Sequence, residues 1–478
     1  MNFICSIVYY FLCIAAKIGI NSLSLPDMEM HVRHMGYKIV GVLVACLCLF
    51  ACSPVWEDEF EIDYERPSFN PGDRVGNEET RNVLLLYSAG FNSLTSYLKE
   101  DIEDLKSGWL PGRNRNDDVV LVYSHFPTAS GRYSVPNPPT LTRLSATSQG
   151  VVKADTLVVY DNAAISSSPV QFNRVLTYVK ETFPAAGYGL VFSSHATGYL
   201  PAGFYQSPGT YVYKGNAMVQ MGAGWHGASM YPYVELPYDP SLPAVKSVGQ
   251  DQVGTSDGHR SYEMELDDFA AAIPMKLDYI LFDACLMGGI EVAYQLREKA
   301  SVIGFSQAEV LAEGLNYKML TSHLLQNGAP DPVVVCQDYF NQYDVQEGLY
   351  RSATISTVDC DQLEPLADIC KVLFDKYASE ISSLSHSNVQ RYYRSNYHWF
   401  YDLESIMVEA GITDAELESL HKALDKCVLY RGHTPSFMNA FEIKTFSGFS
   451  MYLPSHGNAE LNKYYRTLDW NIATGLVR

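Results

Sequence analysis

The chain is poor in positive charge. It carries 34 Lys and Arg against 54 Asp and Glu, a formal net charge of -20. Nucleic-acid binding needs basic stripes that neutralise phosphates, so nucleic acid is not an expected partner. The cysteines after residue 52 are Cys285, Cys336, Cys360, Cys370 and Cys427, and no C-x-x-C pair occurs among them. Zinc-ribbon and thioredoxin chemistry therefore lack support, and no metal ligand set is assigned. There is no Asp-rich loop of the EF-hand kind. No repeat period and no low-complexity block is present. Nothing singles out the two cleft carboxylates that glycosidase chemistry requires. What the chain does have is 47% hydrophobic residues and 13% aromatics, which exclude wholesale disorder. At 478 residues it can hold one large domain or two or three ordinary ones.

The other five cysteines, Cys5, Cys13, Cys46, Cys48 and Cys52, crowd into the first 52 residues. Lys38 is followed by a short apolar run, 39–51, too short for a comfortable membrane span but right for a signal-peptide core. The run ends Leu49-Phe50-Ala51-Cys52, which resembles a bacterial lipobox with Cys52 as the lipidated residue. An earlier apolar run, 3–16, suggests that the true start is Met35; the competing reading is an N-terminal membrane helix. Residues 52–80 are acidic and dotted with Pro and Gly, and read as a tether. The expected location is the bacterial cell envelope, with a lipid anchor in the membrane.

From residue 81 the pattern becomes that of a folded domain. Continuous apolar runs at 81–90, 118–125, 155–161, 188–198, 277–285 and 301–310 read as strands buried on both faces. Between them, helical spacing recurs; Leu94, Tyr97, Leu98, Ile102 and Leu105 share one face. Strands alternating with helices predict an α/β/α sandwich on a mostly parallel sheet. The catalytic part is expected to span 81–331. Residues 332–478 are expected to be mainly helical, with late strands that complete or pack on it.

Ligands of an open parallel sheet bind beyond the carboxyl ends of its strands. Two strands deliver reactive side chains there: His195 after "GLVFSS" and Cys285 after "YILFDA". An imidazole that takes the thiol proton makes a thiolate nucleophile. Backbone N–H groups around it can hold an oxyanion. On this reasoning alone Cys285 is either a packed core thiol or a nucleophile, and His195 either a loop residue or its base. His226 is a rival base, and His125, at the end of the second strand, a candidate lining residue. Cys336, Cys360, Cys370 and Cys427 read as core thiols.

The stretch "YILFDACLMGGIEVAYQLR" resembles the nucleophile block of the clostripain family of cysteine endopeptidases, which have the caspase-like fold. "NVLLLYSAGFNSL", "GLVFSSHATGYLP", "GFSQAEVLAEGLNY" and "FSGFSMYLP" resemble further family blocks in the same order. The resemblance implies Cys285 as nucleophile, His195 as general base, and the N–H groups of Cys285 and Ala196 as the oxyanion hole. It implies Asp283 as the acid lining a pocket for Arg or Lys at P1, the residue before the cut. An acid there suits a guanidinium or ammonium group. It further implies protein or peptide substrates, calcium as a cofactor of some relatives, and Lys214 as a candidate self-cleavage point. Departures from the family pattern are His195-Ala196 in place of His-Gly, Phe91 and Ser93 in the first-strand turn, and the altered segment 307–317. The leading reading is a lipid-anchored secreted cysteine endopeptidase that cuts after basic residues. The alternative is a non-catalytic surface lipoprotein binding module on a degenerate fold of the same kind.

Overall fold

The computed structural model describes residues 80–478, apart from 115–116, 129–136, 163, 206–207, 214–228, 233–250, 256–257, 327–328 and 395–398. The signal-peptide region, the tether and Cys52 lie outside the described residues, as do Lys214 and His226.

Nine described strands form one sheet. They are β1 (Thr80–Ala89), β2 (Val119–His125), β3 (Thr140–Ala146), β4 (Val152–Val159), β5 (Ala185–Ser193), β6 (Leu277–Asp283), β7 (Ala300–Phe305), β8 (Thr354–Asp359) and β9 (Val428–His433). Their spatial order is β9-β8-β7-β6-β5-β1-β2-β3-β4. The middle five, from β7 to β2, pair in parallel. Antiparallel pairs finish both sides. The parallel strands are apolar throughout because helices cover both faces. Residues 83–87 of β1 and 279–283 of β6 are all at most 2% exposed. Burying each Val or Leu of this kind contributes about 1.5–3 kcal/mol before entropy is counted. By contrast, β4 closes one edge with Val152 and Val159 exposed and with Lys153 and Asp155 in its sequence, charges that discourage edge-to-edge pairing.

The helices form where the apolar spacing predicts them. Helix α1 (Thr95–Ser107) buries Leu98 and Leu105. Helix α2 (Pro169–Thr182) begins at Ser168, whose side chain accepts the Val170 N–H, and has Pro at its first position. Helix α3 (Leu266–Ala272) precedes β6, and helix α4 (Ile290–Leu296) follows it. Two strands depart from the sequence reading. β3 falls between the runs at 118–125 and 155–161, where no strand was expected. β8 falls in the region expected to be mainly helical; it is six residues long, and its pairing with β7 and β9 is non-local. Residues 332–478 thus contribute β8 and β9 to the central sheet. They also supply a short pair, Tyr401–Asp402 with Ser450–Met451.

That pair is tied to the sheet through α4. Ser450 N–H donates to Gly288 O at 2.8 Å. Glu291, fully buried in the first turn of α4, accepts the Tyr452 N–H at 2.8 Å and the Tyr465 hydroxyl at 2.7 Å. Burial raises its carboxyl from 4.5 to about 7, against those two hydrogen bonds. A folded-state value above the unfolded one means stability that is full below about 4.5 and declines as pH rises to about 7. We expect Glu291→Gln to flatten that decline in thermal unfolding measured from pH 4 to 8. Glu291→Ala leaves an N–H and a hydroxyl buried and unpaired, and is expected to cost about 2–4 kcal/mol below pH 4.5, and less as pH rises to about 7.

Candidate active site

The register of two neighbouring strands sets the site. β5 and β6 run parallel with Ser193 opposite Asp283. His195 and Cys285 each stand two residues beyond those ends. They leave the sheet at the same edge, from adjacent strands. β1 flanks β5 on the other side, with Ser88 opposite Ser193, so the turn after β1 arrives at the same edge. Asn92 shapes that turn: its Nδ2 donates to Ala89 O at 2.9 Å and its Oδ1 accepts the Leu94 N–H at 3.0 Å. The next residue, Ser93, has its Oγ 3.1 Å from His195 Nε2. Ser194 Oγ donates to Ala89 O at 3.0 Å. The histidine is buried to 5% exposure, held from the β1 side by a hydroxyl.

The loop after β6, which carries Cys285, is strained. Leu286 has φ +62°, the left-handed region, unfavourable for a side-chain-bearing residue by about 1–2 kcal/mol. Its N–H donates to Ala308 O at 2.9 Å, and Gly288 N–H donates to Ser306 O at 2.7 Å. Residues 306–310 therefore run beside 285–288. Gly288 permits this approach, since a Cβ there would sit 2.6 Å from Gln307 N. At the end of the segment, Val310 N–H donates to Cys285 Sγ at 3.1 Å, and the thiol faces Val310 O at 3.8 Å. Cys285 has no exposed surface. The histidine loop closes on the same point. Gly198 has φ +62°, and a Cβ on it would lie 2.4 Å from Leu286 O.

A pocket with about 80 Å³ of free space opens along the histidine. Its wall includes His195, Ala196, Gly198, Phe282 and Met287, so both loops border it. Asp283 and Cys285 are not among the described residues on that wall. Asp283 is wholly buried, its Oδ2 accepting from Ser193 Oγ at 3.0 Å and from Tyr317 Oη at 2.7 Å. Ala196 is not among the residues with positive φ. The backbone here thus makes no use of the extra freedom that the family's glycine has. His125 is buried away from the pocket wall, 2.7 Å from Ser166 Oγ and stacked on Phe91 at 5.2 Å. The remaining described thiols are free and buried. Burial pushes Cys336 and Cys360 up to about 12, and Cys370 and Cys427 higher still. They are inert core groups. Among the described residues no cluster of three or more His, Cys, Asp or Glu could hold a metal ion.

Three contacts of this site had not been assigned from sequence. Ser93 was visible only as a departure in the first-strand turn. Leu286 is an ordinary apolar residue in sequence, and its strain is a property of the backbone. Val310 acts through main-chain atoms, which leave no trace in residue type.

The clostripain family profile matches residues 226–474. The chain belongs to the clostripain family. It is thus a cysteine peptidase with a caspase-like fold. Among solved structures it resembles an inactive zymogen C11 protease from Parabacteroides distasonis at 25% identity and TM-score 0.64, covering 84% of this chain and 99% of that one. A secreted C11 cysteine protease from Bacteroides thetaiotaomicron, bound to an irreversible peptide inhibitor, shares the fold at 22% identity and TM-score 0.61, covering 83% and 99%. No curated protein matches the chain significantly. No described helix is long and apolar enough to cross a membrane.

The contact between Gly198 and Leu286 makes a direct test of how this clostripain-family site is held. Gly198→Ala adds a Cβ at a left-handed position and against a carbonyl, with a strain of about 1–2 kcal/mol. The expected outcome is a fold retained with a slightly lower melting temperature. Peptidase kcat/KM should drop by about tenfold or more, because the two loops are forced apart.

Proposed function

We propose that the protein is a lipid-anchored, secreted endopeptidase that cuts proteins after Arg or Lys, with His195 and Cys285 as its catalytic dyad. The observation that carries this reading is the β5–β6 register. With Ser193 opposite Asp283, the histidine and the cysteine lie at equal steps past adjacent parallel strands. The chemistry follows from that placement. The Cys285 proton passes to the His195 imidazole, and the sulfur attacks the scissile carbonyl carbon. The N–H groups of Cys285 and Ala196 receive the negative oxygen of the tetrahedral intermediate. His195 returns the proton to the departing amine, leaving a thioester on Cys285. A water activated by His195 then hydrolyses it and frees the thiol.

Preference for a basic P1 residue is assigned to Asp283. Its carboxylate already accepts two hydroxyl hydrogen bonds, and a guanidinium or ammonium would supply stronger, charge-assisted ones in their place. The covered sulfur of the free protein requires the loops around it to open before a peptide is cut. Lys214 is assigned as the point of self-cleavage. Calcium is the cofactor to add in assays, by family resemblance. The anchor is assigned to Cys52, and the location to the bacterial cell envelope.

Cys285→Ala is expected to abolish cleavage of Arg- and Lys-ended fluorogenic peptides without changing the circular dichroism spectrum. Retained activity would remove Cys285 from the role of nucleophile. Asp283→Asn is expected to lower kcat/KM for Arg-P1 peptides by about tenfold or more relative to a norleucine-P1 control. An unchanged ratio would refute the pocket assignment. For the anchor, Cys52→Ser should abolish incorporation of labelled palmitate in the producing cells; persistent labelling would exclude Cys52.

A further inference from the structure

One ion pair beside the nucleophile has no part in the proposed mechanism. Glu309 immediately precedes Val310, whose N–H reaches the Cys285 sulfur at 3.1 Å. Its side chain is 1% exposed, and its Oε1 lies 3.0 Å from Nε of Arg394. Arg394 comes from a distant stretch of chain, next to Tyr393. The Tyr393 hydroxyl is hydrogen-bonded to that of Tyr205, ten residues after His195. Tyr205 lies within electrostatic reach of Cys285, Glu309 and Arg394 together. Glu309, Arg394, Tyr393 and Tyr205 thus form one linked group, joined to Cys285 through Val310.

The pair is poorly matched for a purely structural one. Glu309 Oε2 is buried and has no hydrogen-bond partner among the described residues. Besides Nε, Arg394 directs an Nη1 donor to the Met438 sulfur at 3.4 Å, and a thioether is a weak acceptor. A buried carboxylate and guanidinium gain most when two parallel hydrogen bonds join them. Here one joins them, and an acceptor oxygen is left over. Burial holds the Glu309 carboxyl up at about 7 even with Arg394 alongside. Met438 itself sits at φ +44°, a backbone strain that a Gly or Asn would relieve. Carboxylate, tyrosine rings and thioether together have the chemistry of a socket for a long cationic side chain.

We propose that Glu309 is a specificity-determining residue that receives a basic side chain of the substrate, and that Arg394 occupies its carboxylate in the free enzyme. This rests on the peptidase reading above and adds to it a second acid, distinct from Asp283. A substrate Arg or Lys displaces Arg394 and takes up the second oxygen. Arg394 swings out with Tyr393, which also loosens the Tyr393–Tyr205 hydroxyl contact.

The test uses the full, active chain, with active sites counted by a thiol-reactive inhibitor. Peptides carry Arg or norleucine at one position at a time, from P3 to P2′. Glu309→Gln is expected to lower the Arg-to-norleucine ratio of kcat/KM at one of these positions by about tenfold or more. Glu309→Asp, which keeps the charge, should restore part of it. Arg394→Gln removes the internal competitor and should lower KM for the basic peptide at that same position. If Glu309→Gln keeps every ratio while Asp283→Asn loses the P1 ratio, the role of Glu309 is overturned and the proposed function stands. If the wild type shows no basic preference at any position, both fall. Should Glu309→Gln fail to fold, Arg394→Gln decides alone: a KM that is unchanged, or that rises equally for all peptides, overturns the proposal.

Discussion

The site depends on the parallel pairing of β5 with β6. Side chains alternate faces along a strand, so a slip of one residue would send every side chain of β6 to the opposite face. It would also shift Cys285 by about 3.3 Å relative to His195. The sheet prevents that slip by burying both faces of both strands. Leu190 and Val191 on one strand and Ile280 and Leu281 on the other are at most 1% exposed. The apolar runs beneath the site therefore do more than stabilise the domain. They fix the relative height of His195 and Cys285, the proposed dyad.

Above the strand ends, control passes from apolar packing to hydrogen bonds and close backbone approaches. Gly198 lets the histidine loop touch Leu286 O. Gly288 lets residues 306–308 lie against the loop that carries Cys285, and Gln307 Nε2 reaches on to Gly448 O at 2.8 Å. Glu291 binds α4 to the late strand through the Tyr452 N–H. These contacts join segments far apart in sequence, and each is buried, where an unmade hydrogen bond is expensive. The left-handed Leu286 is tolerated because its neighbours are so constrained. The same burial raises the carboxyls of Glu291 and Glu309 to about 7, so acidity around the site is set by the fold as much as by residue type.

Much of this was legible in the chain. The runs that became β1, β5 and β6 were long, apolar and bounded by small or polar residues, and a strand buried on both faces has few other ways to look. The Asp-Ala-Cys motif and the ordered blocks pointed to the family. β3 and β8 were not legible. Both lack a continuous apolar run, reading TLTRLSA and TISTVD, and what makes them strands is their neighbours in the sheet, not any local preference. Ser93, Leu286 and Val310 stayed hidden for a related reason: their parts in the site come from a contact, a dihedral angle and a peptide group.

By itself, then, the sequence determined the kind of sheet, the two side chains at its carboxyl edge and the family to which they belong. These follow from residue type and local periodicity, which the chain carries wherever it folds. Only the tertiary structure decided that Ser93 touches the histidine, that Val310 holds the sulfur, that Asp283 is buried against Ser193 and Tyr317, and that Glu309 meets an arginine 85 residues away. Each is a pairing between distant segments. Such pairings depend on strand register and loop packing, which emerge only once the whole core has closed.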